Sequence, residues 1–127
     1  MSLTVLYPPL SHKAEQARLD RVLDQALAGR TCRVVSHADQ LDGLAGDKLL
    51  LALPLNEAGL NLEYIAMLSR LRREGQLLEG CTGALVVDGP GELYTKSTAA
   101  QAALAMNGAG CALLGRPLVE ATGSLAN

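Results

Sequence analysis

Three short segments of this chain carry residue types suited to gripping a small ligand. Tyr7-Pro8-Pro9-Leu10-Ser11-His12-Lys13 offers a hydroxyl, an imidazole and an ammonium group. Pro54-Leu55-Asn56-Glu57-Ala58-Gly59 offers an amide, a carboxylate and a glycine. Asp88-Gly89-Pro90-Gly91-Glu92-Leu93-Tyr94 offers carboxylates, two glycines and an aromatic ring. Each segment follows an apolar run and precedes a helical pattern. A helix opening there presents unbonded N–H groups and the positive end of a dipole, which suits an anion. Glycine lets the backbone approach a ligand closely. The expectation is that main-chain amides at these three tips converge on one cleft able to hold an anionic, planar molecule. Plainer accounts also exist: Asp88 capping its own turn, Tyr94 covering the first turn of a helix, and His12 solvated in a loop.

Sharper motifs are missing. A dinucleotide-type Gly-x-Gly-x-x-Gly would follow the first strand, where Pro8-Pro9-Leu10-Ser11 stands instead. The stretch ending in Lys96-Ser97 has Pro90 and Thr95 at the two glycine positions of a phosphate-binding P-loop. A phosphoacceptor receiver domain needs an Asp ending its third strand, and Leu53-Pro54-Leu55-Asn56 supplies none. The three cysteines, Cys32, Cys81 and Cys111, are widely spaced with no Cys-x-x-Cys or His-x-x-Cys pattern. No metal site is expected, and small buried thiols are. Cys111 has no histidine near it in sequence to activate it as a nucleophile.

The elements that must position the three segments follow from periodicity. Apolar runs at Leu3–Tyr7, Thr31–Ser36, Lys48–Leu53, Gly83–Val87 and Pro117–Ala121 read as strands. Ser11 is a candidate N-cap for a first helix, whose apolar positions run from Ala14 to Leu27 and which Gly29 stops. Glu15, Arg18, Asp20, Arg21 and Asp24 fall on its polar face. A short helix fits around Asp39–Leu44. A helix over Leu60–Leu78 places Leu62, Ile65, Ala66, Leu68 and Leu71 on its stripe, with Arg70 toward water. An Ala-rich helix spans Glu92–Met106, and Thr122–Asn127 read as irregular. Tyr64 is expected in the core or at an interface. Glu120, inside the last strand, is expected to face an uncovered surface, pair with Arg116 or touch a partner. Strands alternating with helices in this way predict a parallel sheet with right-handed crossovers.

Composition bounds the rest. The 127 residues suit one domain, 1–127, and are 49% hydrophobic with no Trp or Phe, so the core packs from aliphatic side chains. The net charge of −2 and the scattered basic residues exclude the footprint of a nucleic-acid binder. Apolar runs are too short to cross a bilayer, and no charged n-region precedes the first strand, so a cytoplasmic protein is expected.

From Lys48 onward the chain resembles a known family. LALPLNEAGLNLEYIAMLSRL, GALVVDGPGELYTKS and NGAGCALLGRPLVEATGSL are similar to segments of the flavodoxin-like NADPH-dependent FMN reductases. That resemblance implies a three-layer α/β/α fold with a five-stranded parallel sheet of order 2-1-3-4-5. It implies a non-covalent FMN, with the isoalloxazine over Pro54, Leu55, Asn56, Glu57 and Gly59 on one side and Asp88, Gly89, Pro90, Gly91 and Tyr94 on the other. It puts the phosphate near Ser11, His12 and Lys13, and implies NADPH or NADH as hydride donor to the flavin N5. The first loop departs from the family's usual Gly- and Ser-rich sequence, and each of its two prolines removes an amide donor. The family's last helix is lacking. One helix cannot cover that sheet face, so an apolar patch is expected, with either a homo-oligomer such as a dimer or a truncated chain behind it. The alternative reading is a cofactor-free flavodoxin-fold subunit that binds or assembles with a partner.

Overall fold

Residues 3–121 are described here from a computed structural model. The apolar runs form parallel strands: β1 (Leu3–Leu6), β2 (Arg33–Val35), β3 (Lys48–Pro54), β4 (Thr82–Gly89), β5 (Ala112–Leu113) and β6 (Leu118–Ala121). Three helices lie between them: α1 (Ala17–Ala26), α2 (Leu62–Arg73) and α3 (Glu92–Gly108). The strand order is β2-β1-β3-β4-β5, with β6 also paired to β4, and every pairing is parallel. The expected fifth strand, Pro117–Ala121, is β6, and Ala112–Leu113 adds a two-residue strand on the same edge of β4 that periodicity did not signal. Between the Gly83–Leu113 and Val86–Leu118 pairings β4 advances three residues and its partner five, so two residues bulge out. Gly115, in that bulge, takes a φ of 74°.

Strand alternation assigns the two faces. Val5 and Ala52 meet Leu19 and Leu23 of α1 on one side. Leu6, Leu51, Leu53, Leu85 and Val87 meet α2 and α3 on the other, around Met67 and Met106. β3 and β4 are the central strands, which is why their sequences are continuous apolar runs. Because α1 covers β1 and β3, the α1 side of the sheet leaves Ala84 of β4 and Leu118 of β6 exposed.

Several local expectations are revised. Ser11 does not cap a helix: a 3-10 turn at Lys13–Gln16 precedes α1, with His12 ahead of it and no side-chain cap. The short helix near Asp39 is a 3-10 turn at Ala38–Gln40. α2 ends at Arg73, five residues early, because Glu74 leaves the helical region before Gly75, and turns carry the chain on to Leu78. Its buried residues are Tyr64, Met67, Leu68 and Leu71, whereas Leu62 and Ile65 are exposed. Tyr64 is thus a core residue, and burial pushes its phenol up to about 12. Arg70 does not simply face water. Its side chain is 14% exposed, donates to the Ala38 carbonyl at 2.8 Å and pairs with Asp42 and Glu74 at 2.5 and 2.7 Å. Thr122–Asn127 lie outside the described residues. Among those described, no helix is long and apolar enough to cross a membrane and no cluster of side chains could hold a metal ion.

Candidate functional site

The carboxyl ends of β1, β3 and β4 lie side by side, so the loops that follow them share one rim of the sheet. A cleft of about 400 Å³ opens there, lined by Ala14, Glu15 and Arg18, by Leu55, Asn56 and Glu57, and by Asp88, Gly89 and Pro90. An adjoining hollow of about 300 Å³ is lined by Pro9, Leu10, Ser11, His12 and Glu63, and again by Glu15 and Asn56. The larger cleft lies within the roughly 300–1,000 Å³ range of small-ligand sites. Six of the sequence-predicted residues therefore line the cleft, and Ser11 and His12 line the hollow. Lys13, Pro54, Gly59, Gly91 and Tyr94 line neither of these two. Tyr94 is 69% exposed and lies over Gly59, whose Cβ position would be 3.6 Å from the Tyr94 Cβ. It thereby packs the α3 N-terminus against the loop after β3.

That loop is folded tightly on itself. The Leu55 amide donates to the Asp88 carbonyl at 2.8 Å. Asn56 organises the rest: its Oδ1 accepts from the Ala58 and Leu60 amides at 2.9 and 3.0 Å. Its own amide donates to Leu60 O at 2.9 Å, and its carbonyl accepts from Gly59 N at 2.9 Å. The remaining amide, of Glu57, donates to Glu15 Oε2 at 2.8 Å. All six main-chain donors of residues 55–60 thus have partners within the chain. Gly59 sits at φ 76°, a conformation only glycine adopts without strain.

Two buried amides clamp the first loop. Asn61 caps α2 by accepting from Tyr64 N at 2.9 Å, and its Nδ2 donates to Pro8 O and Pro54 O at 2.8 Å each. Gln16 Oε1 accepts from Leu10 N at 2.8 Å. With Pro8 and Pro9 lacking N–H groups, these contacts leave little of residues 8–10 free to donate to a phosphate.

Charge in the cleft is mostly negative. Glu15, Glu57 and Asp88 contribute carboxylates, and Arg18 contributes a guanidinium that pairs with Asp88, its Nε lying 3.3 Å from Asp88 Oδ2. Arg18 Nη1 also lies 4.0 Å from Glu120 Oε1, so Glu120 faces Arg18. The hydrogen bond to Asp88 raises the Arg18 pKa further above its ordinary value. Tyr7, at the end of β1, donates to Asp20, and burial together with that carboxylate raises its pKa. Two of the thiols are buried as expected, and burial pushes Cys111 up to about 11 and raises Cys81, whose Sγ donates to Leu44 O at 2.9 Å; Cys32 is only partly buried.

Reading the sequence alone missed Glu15, Arg18, Gln16 and Asn61 as site-building residues. The first two stand on what reads as a solvated helix face. Asn61 had a detectable signal, since Asn ahead of an apolar-periodic run is an N-cap pattern.

A parallel sheet in this order, with a cleft at the ends of β1, β3 and β4, defines a flavodoxin-like α/β domain. Comparison with protein-family models finds no match, and comparisons with curated proteins and with solved structures find no significant match either.

Proposed function

We propose that this domain is an FMN-binding, NAD(P)H-dependent oxidoreductase module of flavodoxin-like type. The observation that supports it best is the convergence of three strand-end loops on one cleft, at the position where this sheet order takes ligands. The ring half of the site suits a flavin. Pro90 offers apolar surface, the nearly buried Leu55 lines the wall behind it, and Asn56 holds the loop rigid. The phosphate half is thinner, resting on Ser11, His12 and the nearby Lys13. When bound, the flavin would accept hydride from a nicotinamide and pass electrons to an acceptor. The protein's own part is to hold the ring, fix which face is open and keep water from the other. Titration of the purified protein with FMN tests this reading. Quenching of flavin fluorescence at roughly 10–100 μM is expected, and its complete absence would overturn the reading. NADPH oxidation with a quinone or free flavin as acceptor then tests turnover.

A second reading draws on one observation: the amides of residues 55–60 are all engaged within the chain. The domain would then be a cofactor-free subunit that binds or assembles with a partner through the same fold. An absence of flavin binding together with a stable complex would select it. In either case we propose a homodimer using the uncovered α1 side of the sheet, where Val34 and Leu118 are exposed. Sedimentation as a monomer at micromolar concentration would count against it.

A further inference from the structure

Glu15 stands where the two halves of the site meet. It lines both the cleft and the adjoining hollow, and its Oε2 accepts from Glu57 N at 2.8 Å, bridging the first and third loops. Of the six amides in residues 55–60, this is the one bonded to a side chain from another segment. The other five are bonded to Asn56, Leu60 or the Asp88 carbonyl. A ligand acceptor that reaches the Glu57 N–H must therefore displace a carboxylate. The carboxylate also brings a full negative charge into the passage between ring space and phosphate space.

Its neighbours do not cancel that charge. Among the described residues lining the cleft, Arg18 is the one cation, and Asp88 already holds it. Glu57 adds a further carboxylate to the cleft, and Glu63 adds one to the hollow. Glu63 in turn pairs with His37, 3.0 Å away. A phosphate entering the hollow would meet the Glu15 and Glu63 carboxylates beside the Ser11 hydroxyl and the His12 imidazole, with no guanidinium in the lining.

We infer that Glu15 sets the charge preference of this site, so that the ligand class it favours is a neutral flavin held by its ring, with phosphorylated flavin bound weakly and exchangeably. This rests on the flavin reading above and deepens it. Like-charge contact in the cleft discriminates by repulsion, whereas the ring contacts are common to both ligands.

The test compares riboflavin, which lacks the phosphate, with FMN on three proteins. Glu15→Gln keeps a carbonyl acceptor for the Glu57 amide and removes the charge. Glu15→Ala removes both. The wild type is expected to bind riboflavin more tightly than FMN. Glu15→Gln is expected to strengthen FMN binding about tenfold, the scale of one charge contact, and to move riboflavin by less than about twofold. Raising the salt concentration is expected to narrow the wild-type difference. In ¹H–¹⁵N spectra Glu15→Ala should shift the Glu57 amide by removing its acceptor, whereas Glu15→Gln should leave it hydrogen-bonded. Binding of both flavins with a ratio unmoved by Glu15→Gln would overturn this inference and leave the flavin reading standing. Failure of all three proteins to bind either flavin would overturn both.

Discussion

Arg18 of α1 grips Asp88 at the end of β4, joining the helix on one sheet face to the floor of the cleft. The Asp88 side chain is only 10% exposed, and Arg18 donates to both of its oxygens. Arg18→Ala is expected to destabilise the protein by about 1–3 kcal/mol, because a nearly buried carboxylate loses its hydrogen bonds. Glu120→Ala is expected to cost under about 0.5 kcal/mol, since that carboxylate is exposed and lies 4.0 Å from the guanidinium. Urea unfolding of the two variants checks the ranking. An equal effect would remove Asp88 from the account.

Asn61 ties β3, the first loop and α2 together through three hydrogen bonds while 2% exposed. Asn61→Asp keeps the cap acceptor but strips both donors and buries a charge. It is expected to cost more than about 2 kcal/mol and to loosen the loops after β1 and β3. Thermal unfolding measures the first effect, and faster amide exchange at Leu10 and Leu60 reports the second.

Gly89 is required by space. A Cβ there would lie 2.4 Å from Thr95 Oγ1 and 3.0 Å from Leu55 Cδ1. Gly89→Ala is expected to destabilise by about 1–3 kcal/mol, and Thr95→Ala in the same chain to restore part of the loss. Thr95 Oγ1 is itself buried and finds no hydrogen-bond partner among the described residues. Thr95→Val is therefore expected to be neutral or to raise the melting temperature, since it removes a desolvated hydroxyl at nearly constant volume. A clear loss of stability in Thr95→Val would show that the hydroxyl has a partner.

His37 supplies a pH dependence with a defined sign. Its hydrogen bond to Glu63 raises its pKa above the ordinary 6.5. The folded state thus binds the proton more tightly than the unfolded state. The stabilisation is present below pH 6.5 and is lost as pH rises through the raised folded value. NMR titration should place the His37 midpoint above 6.5, and Glu63→Gln should return it toward that value. An unchanged midpoint would mean the pair does not persist in solution.

The alternation of strands and helices, the parallel sheet and the three rim loops were all legible in the residues, while the strand order entered only through the family resemblance. They follow from local causes: apolar period, proline at the end of β3, and glycine where a chain must turn. What tertiary structure alone decided is which polar groups meet. Arg18 and Asp88 are 70 residues apart, Asn61 and Pro8 are 53 apart, and Glu15 and Glu57 are 42 apart. In sequence, Glu15 and Arg18 belong to a polar helix face that any solvated surface could explain. The phase of α2 was also beyond reach, because Leu62, Ile65, Tyr64 and Met67 are all apolar enough to be buried. Packing against the Ala38–Gln40 turn and α3 chose the last two. Periodicity reports what a segment does within a few turns of itself, whereas a site is made where distant segments are brought within hydrogen-bonding distance.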